Sequence, residues 1–369
     1  MWNVSRVVSS LIGESGTIYE RRGWPLVAGV FLGITITLYF DLNTTLHISH
    51  VHERMSWPAL NTFRMRMTSP SHAERQNDLP CPDLSRLAAD DDDTVAKQLE
   101  KEVRVLVWVM TQPDNHQSKA RVVRDTWGRR VNKLLFISSI NDSSIPTIAV
   151  NVSEGRKHLT AKSQKAWRYV YENHFHDADW FMKADDNTYV IMENLRYFLS
   201  GENTSEPVHF GHLFKTIVKQ GFYSGGSGYV LSKEALRRWG EKGKDVAKLC
   251  RQDGSGEDNA MGQCMESLGV RVDNSTDALG RTRFHCFKPE QHVVGKHPAW
   301  YYKYDANGAT VFKGREKMSD YAIAFHYIEP WQMEVMEYFV YQLTPYGIVR
   351  GLKHLNQPRN HTHLKVLYW

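Results

Sequence analysis

The sequence predicts an α/β fold built on a parallel sheet, and three stretches carry that reading. Residues 103–110, V-R-V-L-V-W-V-M, form an apolar run of strand length and composition, residues 120–130 carry a helical pattern, and residues 133–138 form a second strand. Strand, helix and strand at this spacing make a parallel βαβ unit.

The remaining elements follow in order. Residues 145–150 read as a further strand, and residues 156–173 have the length and apolar spacing of a helix. Residues 177–183, D-A-D-W-F-M-K, read as a short buried strand that runs directly into Ala184-Asp185-Asp186-Asn187. A helix starts at Glu257 and runs to about Leu268. No internal repeat is present. In an open α/β sheet ligands collect at the carboxyl ends of strands, so the acidic turn after Lys183 is well placed for chemistry.

Residues 24–40 are uncharged and mostly apolar, and Arg21 and Arg22 stand immediately before them. About 17 residues is the short end of what spans a bilayer, and flanking arginines favour a cytosolic N-terminus. The expected layout is a cytosolic tail over 1–23, a signal anchor over 24–40, a stem over 41–100 and a lumenal domain over 101–369. A cleaved signal peptide fits less well, because the run starts late and no small-x-small cleavage site follows it. The stem segment is polar, carries Pro70, Pro80 and Pro82 and the acidic run at 90–93, and lacks apolar periodicity. A short span suits an early secretory membrane, and Golgi residence is expected.

The 369 residues include 41% hydrophobic residues, enough for a substantial core. Scattered Lys and Arg (46 against 41 acidic residues, net +5) give no basic stripe, so nucleic-acid binding is not expected. Asn-x-Ser/Thr sequons begin at Asn43, Asn141, Asn151, Asn203, Asn274 and Asn360, while the one at Asn3 precedes the anchor. Of the four cysteines, Cys250 and Cys264 are the expected pair, closing a short loop around Glu257 and Asp258; the state of Cys81 and Cys286 is left open.

Asp185-Asp186-Asn187 offers oxygen ligands of the kind that hold a hard divalent cation against a diphosphate. In such a turn the first and third side chains project together and the middle one faces elsewhere. A D-D-N triplet by itself is equally a solvated turn. His326, in Y-A-I-A-F-H-Y, is a second candidate ligand or a structural histidine ending an apolar strand. Glu257-Asp258 opens its helix either as a capping pair or as the source of a general base. The glycine-rich run Gly221 to Gly228 has aromatics between its glycines, and it lacks the strand-before, helix-after context of a dinucleotide or P-loop fingerprint. Packing against a sugar and a plain β-bend are its two readings.

These motifs in this order resemble the core 1 β1,3-galactosyltransferases of glycosyltransferase family 31. The resemblance spans about residues 104–347. Its most specific pieces are W-V-M-T from Trp108, R-D-T-W from Arg124, E-G-R from Glu154, A-D-W-F-M-K-A-D-D from Ala178, the V-K-Q-G-F-Y-S-G-G-S-G-Y-V-L-S-K-E-A-L run from Val218, E-D at Glu257 and A-F-H-Y from Ala324. It implies a GT-A fold, a Rossmann-like mixed sheet flanked by helices, that transfers galactose from UDP-galactose with inversion and Mn²⁺ to the 3-hydroxyl of GalNAc on Ser or Thr of glycoproteins, and it suggests a homodimer. By motif match it implies Asp185, Asn187 and His326 as metal ligands, and Met110, Gly155, Arg156, Lys162, Asp185 and Tyr327 as nucleotide contacts. It further implies Asp258 as the base and Trp300 as an acceptor-side aromatic. Arg156 and Lys162, under about two turns apart if both are helical, are expected to add positive charge around the phosphates.

The chain also departs from that family's pattern. Asn187 stands where the family carries a third aspartate, Lys317-Met318 where it carries Cys-Cys, and Val107 and Val131 where it has cysteines. A divergent paralogue is therefore expected. A transferase of another UDP-sugar and a catalytically silent relative acting as chaperone or binding partner are the competing readings; Asp185, Asp186, Asp258 and His326 together favour an enzyme.

Overall fold

Strand β1 (Val105–Met110) is buried along its whole length because it lies inside a sheet with a core on each face. Side chains alternate across a strand, so Val105, Val107 and Val109 enter one core while Leu106, Trp108 and Met110 enter the other. The computed structural model describes residues 93–306 and 313–343. The tail, the anchor at 24–40, most of the stem, Cys81 and the sequons at Asn3, Asn43 and Asn360 lie outside the described residues. Among those described, no helix is long and apolar enough to cross a membrane.

Helix α1 (Thr94–Glu102) precedes β1 and covers the last residues expected in the stem. Leu99 packs on the first core and the Glu100 carbonyl accepts from Asn132 Nδ2 at 2.9 Å, so the folded region starts before residue 100. Residues 120–130 do not form one continuous helix. A π-turn at His116–Ala120 leads into α2 (Arg121–Asp125), and a 3-10 turn follows at Trp127–Arg130. The break falls at Thr126, whose hydroxyl donates to the Val122 carbonyl at 2.6 Å. Strand β2 (Lys133–Ser138) matches the sequence reading, whereas β3 (Thr147–Ala149) is shorter than the expected 145–150. Helix α3 (Leu159–His174) is preceded by a 3-10 turn at Arg156–His158.

Strand β4 (Trp180–Asp185) pairs parallel to β1, with Met110 opposite Asp185. After β5 (Tyr189–Val190) and α4 (Met192–Leu199), the chain adds β6 (Val208–Gly211), the hairpin β7 (Leu213–Phe214) and β8 (Phe222–Tyr223), and β9 (Tyr229–Ser232). Helices α5 (Lys233–Arg238) and α6 (Glu257–Ser267) precede β10 (Arg271–Val272). The main sheet runs β10-β6-β9-β4-β1-β2-β3, with β9 antiparallel to both neighbours, so it is a mixed sheet flanked by helices. Strand order reverses at β1, with β2 on one side and β4 on the other. A crevice outside the carboxyl ends of the strands at such a point is where open α/β sheets bind ligands.

A second, three-stranded sheet brings the C-terminal segment to that crevice. Strand β11 (Phe284–His285) pairs parallel to β12 (Ala324–Phe325), and β12 pairs antiparallel to β5 with Phe325 opposite Tyr189. Short helices α7 (Pro289–Val294) and α8 (Ala299–Tyr304) lie between β11 and β12, and α9 (Pro330–Tyr341) follows. The Cys250–Cys264 disulfide forms as expected and ties α6 to the loop before it; Cys286 is buried and unpaired among the described residues. Val107 and Val131 pack in the first core.

Candidate active site

A cavity of ≈ 650 Å³ opens at the carboxyl ends of β1 and β4. Met110, Gly155, Arg156, Lys162, Asp185, Asn187, Asp258, Trp300, His326 and Tyr327 all line it. They come from seven separate stretches of chain, and the sheet register explains how the most distant ones meet. Because β12 runs antiparallel to β5, the residues following Phe325 lie beside those preceding Tyr189, and the Asn187 carbonyl accepts from Ile328 N at 2.9 Å. His326 Nε2 consequently stands 3.9 Å from Asp185 Oδ2.

The acidic turn sorts its side chains as the sequence suggested. Asp186 turns away to accept from Thr111 Oγ1 and Asn115 Nδ2, each at 2.8 Å, and burial raises its pKa. Asp185 and Asn187 face the cavity. Burial holds the His326 imidazole down at about 4, so it is neutral at physiological pH with a lone pair to offer, and the Cys286 carbonyl accepts a hydrogen bond from the ring. Two ligands about 2.0–2.2 Å from one cation can stand 3.9 Å apart, so the pair fits a shared divalent ion. Among the described residues no three His, Cys, Asp or Glu side chains are grouped to hold a metal by themselves; Asn187, whose amide oxygen could serve as a third donor, lines the same cavity. One carboxylate, one imidazole and one amide form a donor set of low charge that still suits Mn²⁺.

The glycine-rich run does more than bend. A Cβ on Gly226 would sit 2.0–2.5 Å from the His326 ring atoms, so only glycine lets the imidazole lie against this backbone. Thr188 Oγ1 donates to the Gly226 carbonyl at 2.8 Å and accepts from Asp185 N at 3.1 Å, clamping the acidic turn to the same glycine. Gly225 is less crowded: a Cβ there would meet Glu257 Oε2 at 2.9 Å and Lys183 Nζ at 3.3 Å. This is a tighter use of glycine than either a bare bend or a platform for a sugar.

Asp258 is half-buried in the first turn of α6, with Oδ1 accepting from Asn259 N at 2.9 Å. Glu257 is sequestered instead: its Oε1 accepts from Ser163 Oγ and from Tyr229 OH, both at 2.7 Å. Of the two adjacent carboxylates, only Asp258 is left with free access to an incoming hydroxyl. Gly155 takes φ +109°, a left-handed conformation that leads the chain into the Arg156 turn, and Arg156 is exposed.

Lys162 lines the cavity and is paired there. Its ammonium is buried and donates to both Glu154 carboxylate oxygens, at 2.6 and 2.7 Å, and to the Thr111 carbonyl at 2.6 Å. It fastens the Glu154–Arg156 loop to the end of β1. Trp300 is 46% exposed at the rim beside Phe214 and Phe287, and Tyr327 stacks on His326 with ring centroids 3.9 Å apart. Tyr327 holds φ 61°, a strained value for an aromatic residue that turns its ring over the imidazole.

Sequence reasoning missed Lys183, a buried lysine on the cavity floor whose Nζ donates to Asp185 Oδ1 at 2.5 Å. Strand alternation carries the available signal, since positions 183 and 185 of β4 share a face. The apolar wall of Phe214, Ile217 and Tyr304 beside Phe222 was also missed. A Ser138–His116–Asp142 chain elsewhere has the residue types of a nucleophilic triad, but Ser138 is fully buried and His116 nearly so, so it braces the loop that carries Asn115.

A model of the Fringe-like family matches residues 100–286, which include both β1 and α6. A glycoprotein-N-acetylgalactosamine 3-beta-galactosyltransferase 1 of Xenopus laevis is 40% identical over 335 residues, covering 89% of this chain and 88% of its own. The chain belongs to the Fringe-like family. A further similarity is partial: a human beta-1,3-glucosyltransferase is 28% identical over 181 residues, covering 47% of this chain and 35% of its own. Among solved structures, the galactosyltransferase LgtC aligns with a TM-score of 0.35 and 12% identity, covering 65% of this Fringe-like chain and 98% of LgtC.

Proposed function

We propose that the chain is an inverting glycosyltransferase of GT-A fold that moves galactose from UDP-galactose to the 3-hydroxyl of GalNAc on Ser or Thr, with Mn²⁺ as cofactor. The observation that carries this is the meeting of Asp185 and His326 at 3.9 Å in the cavity that Asp258 lines. The 40% identity to the Xenopus enzyme across nearly the whole of both chains supports the choice of donor and acceptor. Residues 24–40 support anchoring in the Golgi membrane with the catalytic domain in the lumen.

Asp185 Oδ2, His326 Nε2 and the Asn187 side chain would hold the cation, which when bound neutralises charge growing on the departing diphosphate. Arg156, exposed at the mouth, adds positive charge on the same side, while Lys162 and Glu154 fix the loop that presents it. Asp258 takes the proton of the acceptor hydroxyl as its oxygen bonds to the anomeric carbon and the bond to UDP breaks. Attack on the face opposite UDP inverts the anomeric centre. Trp300 and the neighbouring aromatics offer flat apolar surface to the acceptor sugar.

The test is full-length protein supplied with UDP-galactose, a GalNAc-bearing peptide and Mn²⁺. Transfer that Asp258→Ala abolishes supports the proposal; no transfer from any UDP-sugar in the presence of metal sinks it in favour of a silent binding partner.

A further inference from the structure

Glu257 and Lys183 have no part in the chemistry above, yet both are almost fully buried on the floor of the cavity. Burying two ionisable groups is unfavourable unless each is paired and hydrogen-bonded, so their partners show what the pair holds together. Glu257 is the first residue of α6 and Asp258 is the second. Through Oε1 the Glu257 carboxylate takes hydrogen bonds from Ser163 on α3 and Tyr229 on β9, and Tyr229 OH in turn accepts from Trp167 Nε1 at 3.2 Å. Its Oε2 faces Lys183 Nζ at 4.0 Å. That ammonium donates to the Gly225 carbonyl at 2.9 Å and to Asp185 Oδ1 at 2.5 Å.

The contacts therefore run unbroken from Trp167 through Tyr229, Glu257 and Lys183 to Asp185, with a side link to the glycine turn that cradles His326. With Oδ1 of Asp185 committed to Lys183, Oδ2 is the oxygen presented toward His326.

We propose that Lys183 and Glu257 are a pair of positioning residues that lock the helix carrying Asp258 to the strand end carrying Asp185, so that base and metal turn move as one unit. Neither needs to touch the sugar, and the reading rests on the transferase assignment for its kinetic readouts. A displacement of about 1 Å between base and donor is enough to slow transfer about a hundredfold, so a lock that acts only on geometry affects kcat more than donor KM.

The experiment is a double-mutant cycle in the full chain with Lys183→Met and Glu257→Gln, measured as kcat, donor KM and Mn²⁺ affinity by electron paramagnetic resonance. Wild-type transfer is measured first, so failure of the transferase assignment is seen separately, as no turnover before any substitution. Each single variant should lose about 10–100-fold in kcat with UDP-galactose KM changed less than about threefold, and the double variant should be no worse than about threefold below the poorer single. Lys183→Met should also weaken Mn²⁺ binding, because Asp185 loses its orientation. Losses that multiply in the double variant overturn the proposal, as does tighter Mn²⁺ binding in Lys183→Met, which would make the lysine a competitor of the cation. Tyr229→Phe, outside the cavity, covers the case in which Lys183→Met does not fold. It should lower kcat several-fold and leave the acid limb of the pH–rate profile in place, whereas an unchanged kcat, or loss of that limb in Glu257→Gln, contradicts a positioning role.

Discussion

Asp185 Oδ2 and His326 Nε2 face each other at 3.9 Å, although β5, α4 and much of the domain separate them in sequence. The antiparallel pairing of β5 with β12 creates that relationship, and the remaining geometry is arranged around it. Removing either side should therefore have the same consequence. Asp185→Asn and His326→Ala are each expected to reduce Mn²⁺-dependent transfer by about 100-fold or more, with Mn²⁺ binding by calorimetry lost in parallel.

Gly226→Ala should mimic those losses without touching a ligand. The new methyl would lie 2.0 Å from the His326 ring, so the imidazole or the turn must shift. The expected destabilisation is about 1–3 kcal/mol by denaturant unfolding, accompanied by weaker Mn²⁺ binding. Wild-type metal affinity in this variant would show that the ring is free to move.

Asn187→Asp adds one negative charge to the proposed donor set. It should tighten apparent Mn²⁺ affinity. An unchanged titration would contradict Asn187 as a ligand.

Lys162→Met removes the fastener between Glu154 and the Thr111 carbonyl. The expected result is a rise of about tenfold in donor KM, ~1.4 kcal/mol of lost binding, because the Gly155–Arg156 loop loses its anchor. A drop in kcat alone would place Lys162 elsewhere in the mechanism.

How much of this was legible in the sequence can be followed residue by residue. The run at 133–138 became β2 with the same bounds, because a short apolar run between polar flanks has few alternatives. The stretch 120–130 did not stay one helix, because the Thr126 hydroxyl bonds back to the Val122 carbonyl and Gly128 packs on the Val123 carbonyl, local contacts that apolar spacing does not carry. The site candidates were legible as types at strand ends, and all of them line one cavity. Their pairings were not. Nothing in spacing distinguishes a lysine that meets phosphate from one, like Lys162, that closes on Glu154, or shows that glycines at 225 and 226 make room for an imidazole and a buried ion pair.

His209 gives a pH prediction away from the site. It is fully buried with its ring against Tyr223, and burial lowers its pKa from 6.5 to about 3. The folded state therefore keeps it neutral while the unfolded chain protonates it below about 6.5. Its contribution is intact above that pH and is lost as pH falls toward 3, with a slope of up to about 1.4 kcal/mol per pH unit. His209→Phe should flatten the acid side of the stability–pH curve, measured by denaturant unfolding; an unchanged slope would exclude His209 as a source.

The most direct test of the central claim is pulsed electron paramagnetic resonance of Mn²⁺ bound to the full-length protein, with and without ¹⁵N-histidine labelling. A histidine nitrogen coupling that disappears in His326→Ala is the predicted result. Bound Mn²⁺ without such a coupling, or a coupling that survives in His326→Ala, would contradict a cation held between Asp185 and His326.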